Sequence, residues 1–148
     1  MTGLGLSLVL RFDGSVHYGP ANVSPRAAAI GYVVEAGRRL IEGSRSLSTF
    51  VSSTHVEFRA LVAGARAVAA LATHREVSSV HVRGDAAAVI QAVDPSRDAT
   101  PGDAVRRRRV SIVRDALADV PQVSYRCVKR GKNQRAHALA ARPHRLSD

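Results

Sequence analysis

The chain has 148 residues, 45% of them hydrophobic, with no tryptophan and a formal net charge of +10. That length suits one domain with a core of small aliphatic side chains. The charge is almost all arginine, since Lys129 and Lys132 are the only lysines, and it points to nucleic acid rather than a membrane as partner. The lone cysteine, Cys127, excludes an internal disulfide, no apolar stretch is long enough to span a membrane, and no secretion signal is evident, so a cytoplasmic location is expected.

The run from Leu6 to Phe12 has strand length and stops at Asp13, where Gly14-Ser15 is expected to turn the chain into a loop from His17 to Pro25. Ala27–Glu35 and Arg38–Leu47 read as two more strands around the tight Ala36-Gly37 turn. Such short connections imply an antiparallel meander. Ser52, Ser53 and Thr54 offer helix caps, and a helix follows from His55 to Leu71, with Val56, Ala60, Ala63, Ala67 and Ala70 along its apolar face and Leu61, Val68 and Leu71 widening it. Val77–Gly84 alternates as a strand. Its place after a helix suggests a crossover and a parallel pair. Asp85–Val93 reads as a short helix. Thr100-Pro101-Gly102-Asp103 carries the signature of a helix start, Thr100 capping, and that helix holds Arg106 to Arg109 and runs to about Asp119. A strand over Val123–Val128, a basic loop from Lys129 to Lys132, and a closing helix capped by Asn133 and ended by Pro143 complete the chain.

Three acids fall at junctions of these elements: Asp13 after the first strand, Glu57 in the first turn of the long helix, and Asp85 after the fourth strand. In an open sheet such junctions can converge on one edge. Three carboxylates held together stay ionised only beside a cation, and a hard divalent ion such as Mg²⁺ suits oxygen ligands. Taken singly each has a plainer reading, an Asx turn for Asp13 and helix capping for Glu57 and Asp85.

The stretches Phe12-Asp13-Gly14-Ser15, Ser53–Leu61, Val80–Ile90 and Val128–Ala140, in that order, resemble the motifs of the type 1 ribonuclease H family across nearly the whole chain. The resemblance implies an α/β fold: a ribonuclease H-like mixed sheet, antiparallel meander plus parallel strands, flanked by helices, with residues 1–148 as one such domain. It implies a metal-dependent endonuclease that cuts the RNA strand of RNA–DNA hybrids and leaves 5′-phosphate and 3′-hydroxyl ends. Two divalent ions, Mg²⁺ or Mn²⁺, would be bound. Asp13 would bridge them, and Glu57 and Asp85 would hold the ion on the leaving-group side.

The family's fourth acidic position falls on His137. An imidazole brings no negative charge and favours Mn²⁺ over Mg²⁺, though His137 also reads as a plain surface residue of the helix. Gly14, Ser15, Ser53, Thr54, Arg130, Lys132 and Asn133 are the candidates for substrate contacts; turn and cap duty is their plainer reading. Arg106 to Arg109 wrap a full helical turn, so only part of the run can face a substrate. The family's loop histidine has no counterpart between Lys129 and Lys132. The other histidines lack zinc-like spacing, and most are expected at the surface. A monomer is expected. The alternatives are a ribonuclease H-like domain that binds nucleic acid with a weakened site, and a relative acting on DNA.

Overall fold

The first strand outruns its apolar stretch. In a computed structural model, which describes residues 5–18, 25–49, 52–97 and 103–146, β1 spans Leu6–Tyr18. Alternation sends Leu8, Leu10 and Phe12 into one face of the sheet, where all three are fully buried, and turns Arg11, Asp13 and Ser15 to the other. Gly14-Ser15 does not turn the chain: Gly14 pairs with Ile30 and Ser15 with Ala29, so the ladder to the second strand carries β1 straight past the acid. His17 and Tyr18, expected in a loop, belong to β1.

The partners of β1 are β2 (Pro25–Glu35), antiparallel, and β4 (Val77–Gly84), parallel. With β3 (Arg39–Leu47) and β5 (Gln122–Cys127) the sheet has five strands in the order β3-β2-β1-β4-β5. This is the mixed sheet expected: a meander on one side of β1, parallel strands on the other. Helix α1 (Ser53–Ala72) packs on β1 and β2 from one face, and α4 (Gln134–Leu146) covers β2, β1 and β3 from the other. Helices α2 (Ala87–Val93) and α3 (Ala104–Ala116) lie on the α1 side. Leu10, Phe12, Val82, Phe58 and Leu61 form the centre of the core between sheet and α1.

Several details differ from the sequence reading. Of the apolar face expected on α1, Val56, Ala60, Leu61 and Val68 are buried, joined by Ala65, while Ala63 and Ala67 are half-exposed and Ala70 is exposed; the larger side chains, not the alanine register, choose the inward face. Asp85 precedes α2, whose cap position is Ala86. Asp103 itself caps α3 by accepting from the Val105 amide at 2.8 Å, and the helix ends at Ala116, short of Asp119; Thr100, expected as cap, lies outside the described residues. Pro143 does not end α4. A proline has no N–H to give the carbonyl four residues back, but the Ser44 hydroxyl from β3 donates to that carbonyl, Leu139 O, at 2.6 Å. His55 and His144 are buried rather than at the surface.

Candidate active site

The parallel ladder of β1 and β4 ends at the pair Arg11–Arg83. Asp13 and Asp85 each lie two residues beyond it, so the register carries both carboxylates to one end of the sheet. Glu57 arrives from α1 because Gly14 has no side chain. A Cβ there would meet Val56 Cγ1 at 2.9 Å and the Glu57 amide nitrogen at 3.0 Å. The absence of that carbon lets the first turn of α1 lie against β1. On the opposite face Gly31, the register partner of Asp13, makes the same allowance for α4: a Cβ would come within 2.4 Å of Ala140 N.

Carboxylate oxygens of Asp13, Glu57 and Asp85 lie within 4.8 Å of one another. Asp13 is 2% exposed. Burial, then the negative charge of Asp13 and the hydrogen bond they share, then Asp85, push the Glu57 carboxyl up to about 9, against the pull of the Gly14 backbone N–H. Asp13 is also raised, chiefly by burial and by Asp85, while hydrogen bonds from His137 and Glu57 oppose the rise. Without a cation, therefore, Glu57 keeps its proton and Asp13 accepts from it. Among the described residues no donor reaches Glu57 Oε2, which is buried. An orphaned oxygen beside two further carboxylates is a donor set that fits a hard divalent ion.

His137 reaches this cluster from the first turn of α4, its Nδ1 2.8 Å from Asp13 Oδ2. Asp13 as a carboxylate can only accept, so Nδ1 carries the hydrogen and Nε2 is left for a proton or a ligand. His137 is positioned by Asn133, whose buried Nδ2 donates to Phe12 O at 2.8 Å and ties the start of α4 to β1. A cleft of about 500 Å³ opens beside the cluster, lined by Glu57 and walled by Gly14, Ser15, Ser53, Thr54, Arg130 and His137. Arg130 Nε lies 3.6 Å from Asp85 Oδ2.

The model of the reverse-transcriptase-like family matches residues 11–143, from the strand that bears Asp13 to the helix that bears His137. The chain belongs to this family of ribonuclease H domains. Among solved structures it is similar to RNase H1 from the halophilic archaeon Halobacterium salinarum NRC-1, at 26% identity and a TM-score of 0.77 over 95% of this chain and 98% of that one. The fold is shared with the N-terminal RNase H domain of a Mycobacterium tuberculosis protein (19% identity, TM-score 0.76, 95% of each chain). It is shared also with LC11-RNase H1, isolated from compost and solved in complex with an RNA/DNA hybrid (19%, 0.77, 95% and 99%). None of the curated proteins compared matches the sequence.

In this ribonuclease H domain the expected site residues separate into three groups. Asp13, Glu57 and Asp85 come together, and His137 joins through Asp13 alone. Gly14, Ser15, Ser53, Thr54 and Arg130 line the cleft, whereas Lys132 is exposed away from its wall and the Asn133 side chain is buried under it. One neighbour escaped the sequence reading. His144 Nε2 lies 2.9 Å from Ser15 Oγ, and its ring stacks on His17 at 3.9 Å. The signal was the spacing of seven between His137 and His144, which puts both on one face of α4.

Proposed function

We propose that the chain is a divalent-metal-dependent endonuclease that hydrolyses the RNA strand of RNA–DNA hybrids, leaving 5′-phosphate and 3′-hydroxyl ends. The observation that carries this reading is the trio Asp13, Glu57 and Asp85, with carboxylate oxygens within 4.8 Å of one another and Glu57 lining the adjoining cleft. Clustered carboxylates facing a polyanion are costly, and a cation-dependent reaction is the physical reason to keep them. Divalent ions, when bound, acidify a water and stabilise the departing 3′ oxygen. Asp13, central to the cluster, would help hold both ions of a Mg²⁺ or Mn²⁺ pair. Glu57 would contribute its orphaned oxygen, shedding its proton to do so, and with Asp85 would hold the ion that stabilises the departing oxygen. His137, held by Asp13 through Nδ1, would offer Nε2 as a nitrogen donor to the ion that acidifies the water. Backbone and hydroxyl groups of Gly14, Ser15, Ser53 and Thr54 are placed for sugar and phosphate contacts, the sugar contacts being where a 2′-hydroxyl is sensed. Arg130 offers a phosphate contact from the opposite wall.

A second reading, a domain that binds hybrid without cutting it, draws on His137, which leaves the site one negative charge short of four. The decisive experiment incubates end-labelled RNA–DNA hybrid, duplex RNA and duplex DNA with the protein in Mg²⁺, Mn²⁺ or chelator. Metal-dependent cleavage confined to the hybrid's RNA strand, lost in a folded Asp13→Asn variant, is the expected result. Hybrid binding with no cleavage in either metal supports the second reading, and cleavage retained by Asp13→Asn overturns the site.

A further inference from the structure

Away from the acids, α1, α3 and the β2–β3 side of the sheet enclose a groove of about 670 Å³. Its wall carries five arginines, Arg45, Arg59, Arg66, Arg108 and Arg109, and no acidic side chain. None of the five is in an ion pair among the described residues. Arg109 is held below the usual guanidinium range by burial and by the charge of Arg59, which together outweigh the opposing pull of Asp103. Like charges gathered on one wall repel one another in the free protein, and an anionic partner relieves that repulsion.

The lining between the arginines is apolar and selects among anions. Val105 is 47% exposed and is the one large hydrophobic residue so exposed among the described residues. With Ile112 of the same helix and Val62 of α1 it forms an aliphatic strip beside the arginines. A phosphate backbone would leave that strip wet. Single-stranded nucleic acid is gripped by stacking on aromatic faces, and the one ring here, Tyr32, lies against Gly43, where even a Cβ would sit 2.2 Å from it. Aliphatic side chains flanked by carboxylates satisfy both features, because arginine forks pair bidentately with carboxylates. From Arg59 to Ala67 the α1 wall runs about 12 Å, two turns of a docked helix. A second copy of this chain is a poor occupant, having 12 acidic residues against 22 basic ones.

We propose that this groove is the docking site for an acidic amphipathic helix of a protein partner, with its apolar side on Val62, Val105 and Ile112 and its carboxylates on the arginines. The site is separate from the acid cleft, so the test reads binding and does not depend on the nuclease reading. The probe is a fluorescein-labelled, helix-stapled peptide of about fourteen residues with leucine at i, i+3 and i+7 and glutamate on the flanks, beside its scrambled isomer of equal charge. Titrated into the full chain and followed by anisotropy, the peptide is expected to bind with Kd below about 100 µM, the isomer on the order of tenfold more weakly. In two-dimensional amide spectra, shifts should concentrate at Ala63, Val105 and Ile112. Arg66→Glu with Arg108→Glu should cost on the order of tenfold in peptide affinity, and Val105→Ser a smaller loss, with thermal melts unchanged. Equal binding of the two isomers would overturn the proposal, as would binding of neither, or displacement of the peptide by labelled oligo(dT) mapped to the same amides. The last outcome would assign the groove to nucleic acid.

Discussion

Replacing Glu57 by glutamine should destroy activity and stabilise the metal-free protein at once. The carboxyl is raised from 4.5 to about 9, by burial first and by Asp13 second. Between those values the folded protein holds a proton that the unfolded chain releases. Stability is therefore full below pH 4.5, falls as pH rises through the window, and levels off above 9. Near pH 7 the loss is about 2.5 pH units' worth, or about 3 kcal/mol for the coupled Asp13–Glu57 pair. Glutamine keeps the shape, cannot ionise, and can donate its amide to Asp13 as the protonated acid does. In chelator near pH 7, Glu57→Gln should gain up to about 3 kcal/mol, seen as a rise of roughly 5–10 °C in Tm. The gap should close on acidification toward pH 4.5. Urea or thermal unfolding from pH 4.5 to 9 measures it, and hybrid cleavage measured alongside should fall at least about 100-fold. Parallel pH–stability curves for the two proteins, or a less stable variant at neutral pH, would refute the claim that the pair is crowded and sharing a proton.

Three further outcomes follow from the geometry. Gly14→Ala puts a methyl 2.9 Å from Val56 Cγ1 and 3.0 Å from Glu57 N; α1 must shift, costing about 1–3 kcal/mol in urea unfolding and displacing Glu57 enough to depress cleavage. His137→Asp restores an oxygen donor and a charge, so the Mn²⁺/Mg²⁺ rate ratio, expected above one in the unaltered protein, should drop; three equal ratios for His, Asp and Ala at this position would remove His137 from the metal's reach. Asn133→Ala leaves Phe12 O without its buried donor, a loss of about 1–3 kcal/mol by denaturation, with cleavage falling further than stability because His137 loses its footing.

The elements were legible where local pattern and partner agreed. Alternation in Val77–Gly84 marked β4 to the residue, and the acids at strand and helix junctions marked the cluster. Legibility failed where a distant segment overruled local chemistry. Gly14-Ser15 has turn composition, but β2 supplies a ladder partner at every step, so the backbone stays extended. Pro143 has the look of a helix stop, and no local reading could supply Ser44 as the substitute donor. Asn133 read as a cap exposed to substrate, and its burial depends on a carbonyl 121 residues earlier. The arginine groove was invisible for the same reason. Arg106 to Arg109 surround α3, and only its packing on α1 divides them, setting Arg108 and Arg109 into the groove and Arg106 beside Asp103.

The bond from Ser44 to Leu139 also bears on the order in which the chain can fold. It spans 95 residues, and its donor lies on β3, an outer strand added to the sheet through β2. Helix α4 can grow to Ala141 on its own amides, but the turn across Pro143 gains its missing donor only after β3 has docked. That turn carries His144, the ring that touches Ser15 beside the acids. The last turn of α4 is thus held by contacts to β3 and β1 rather than by its own amides, and the histidine face of the helix depends on both strands of the meander.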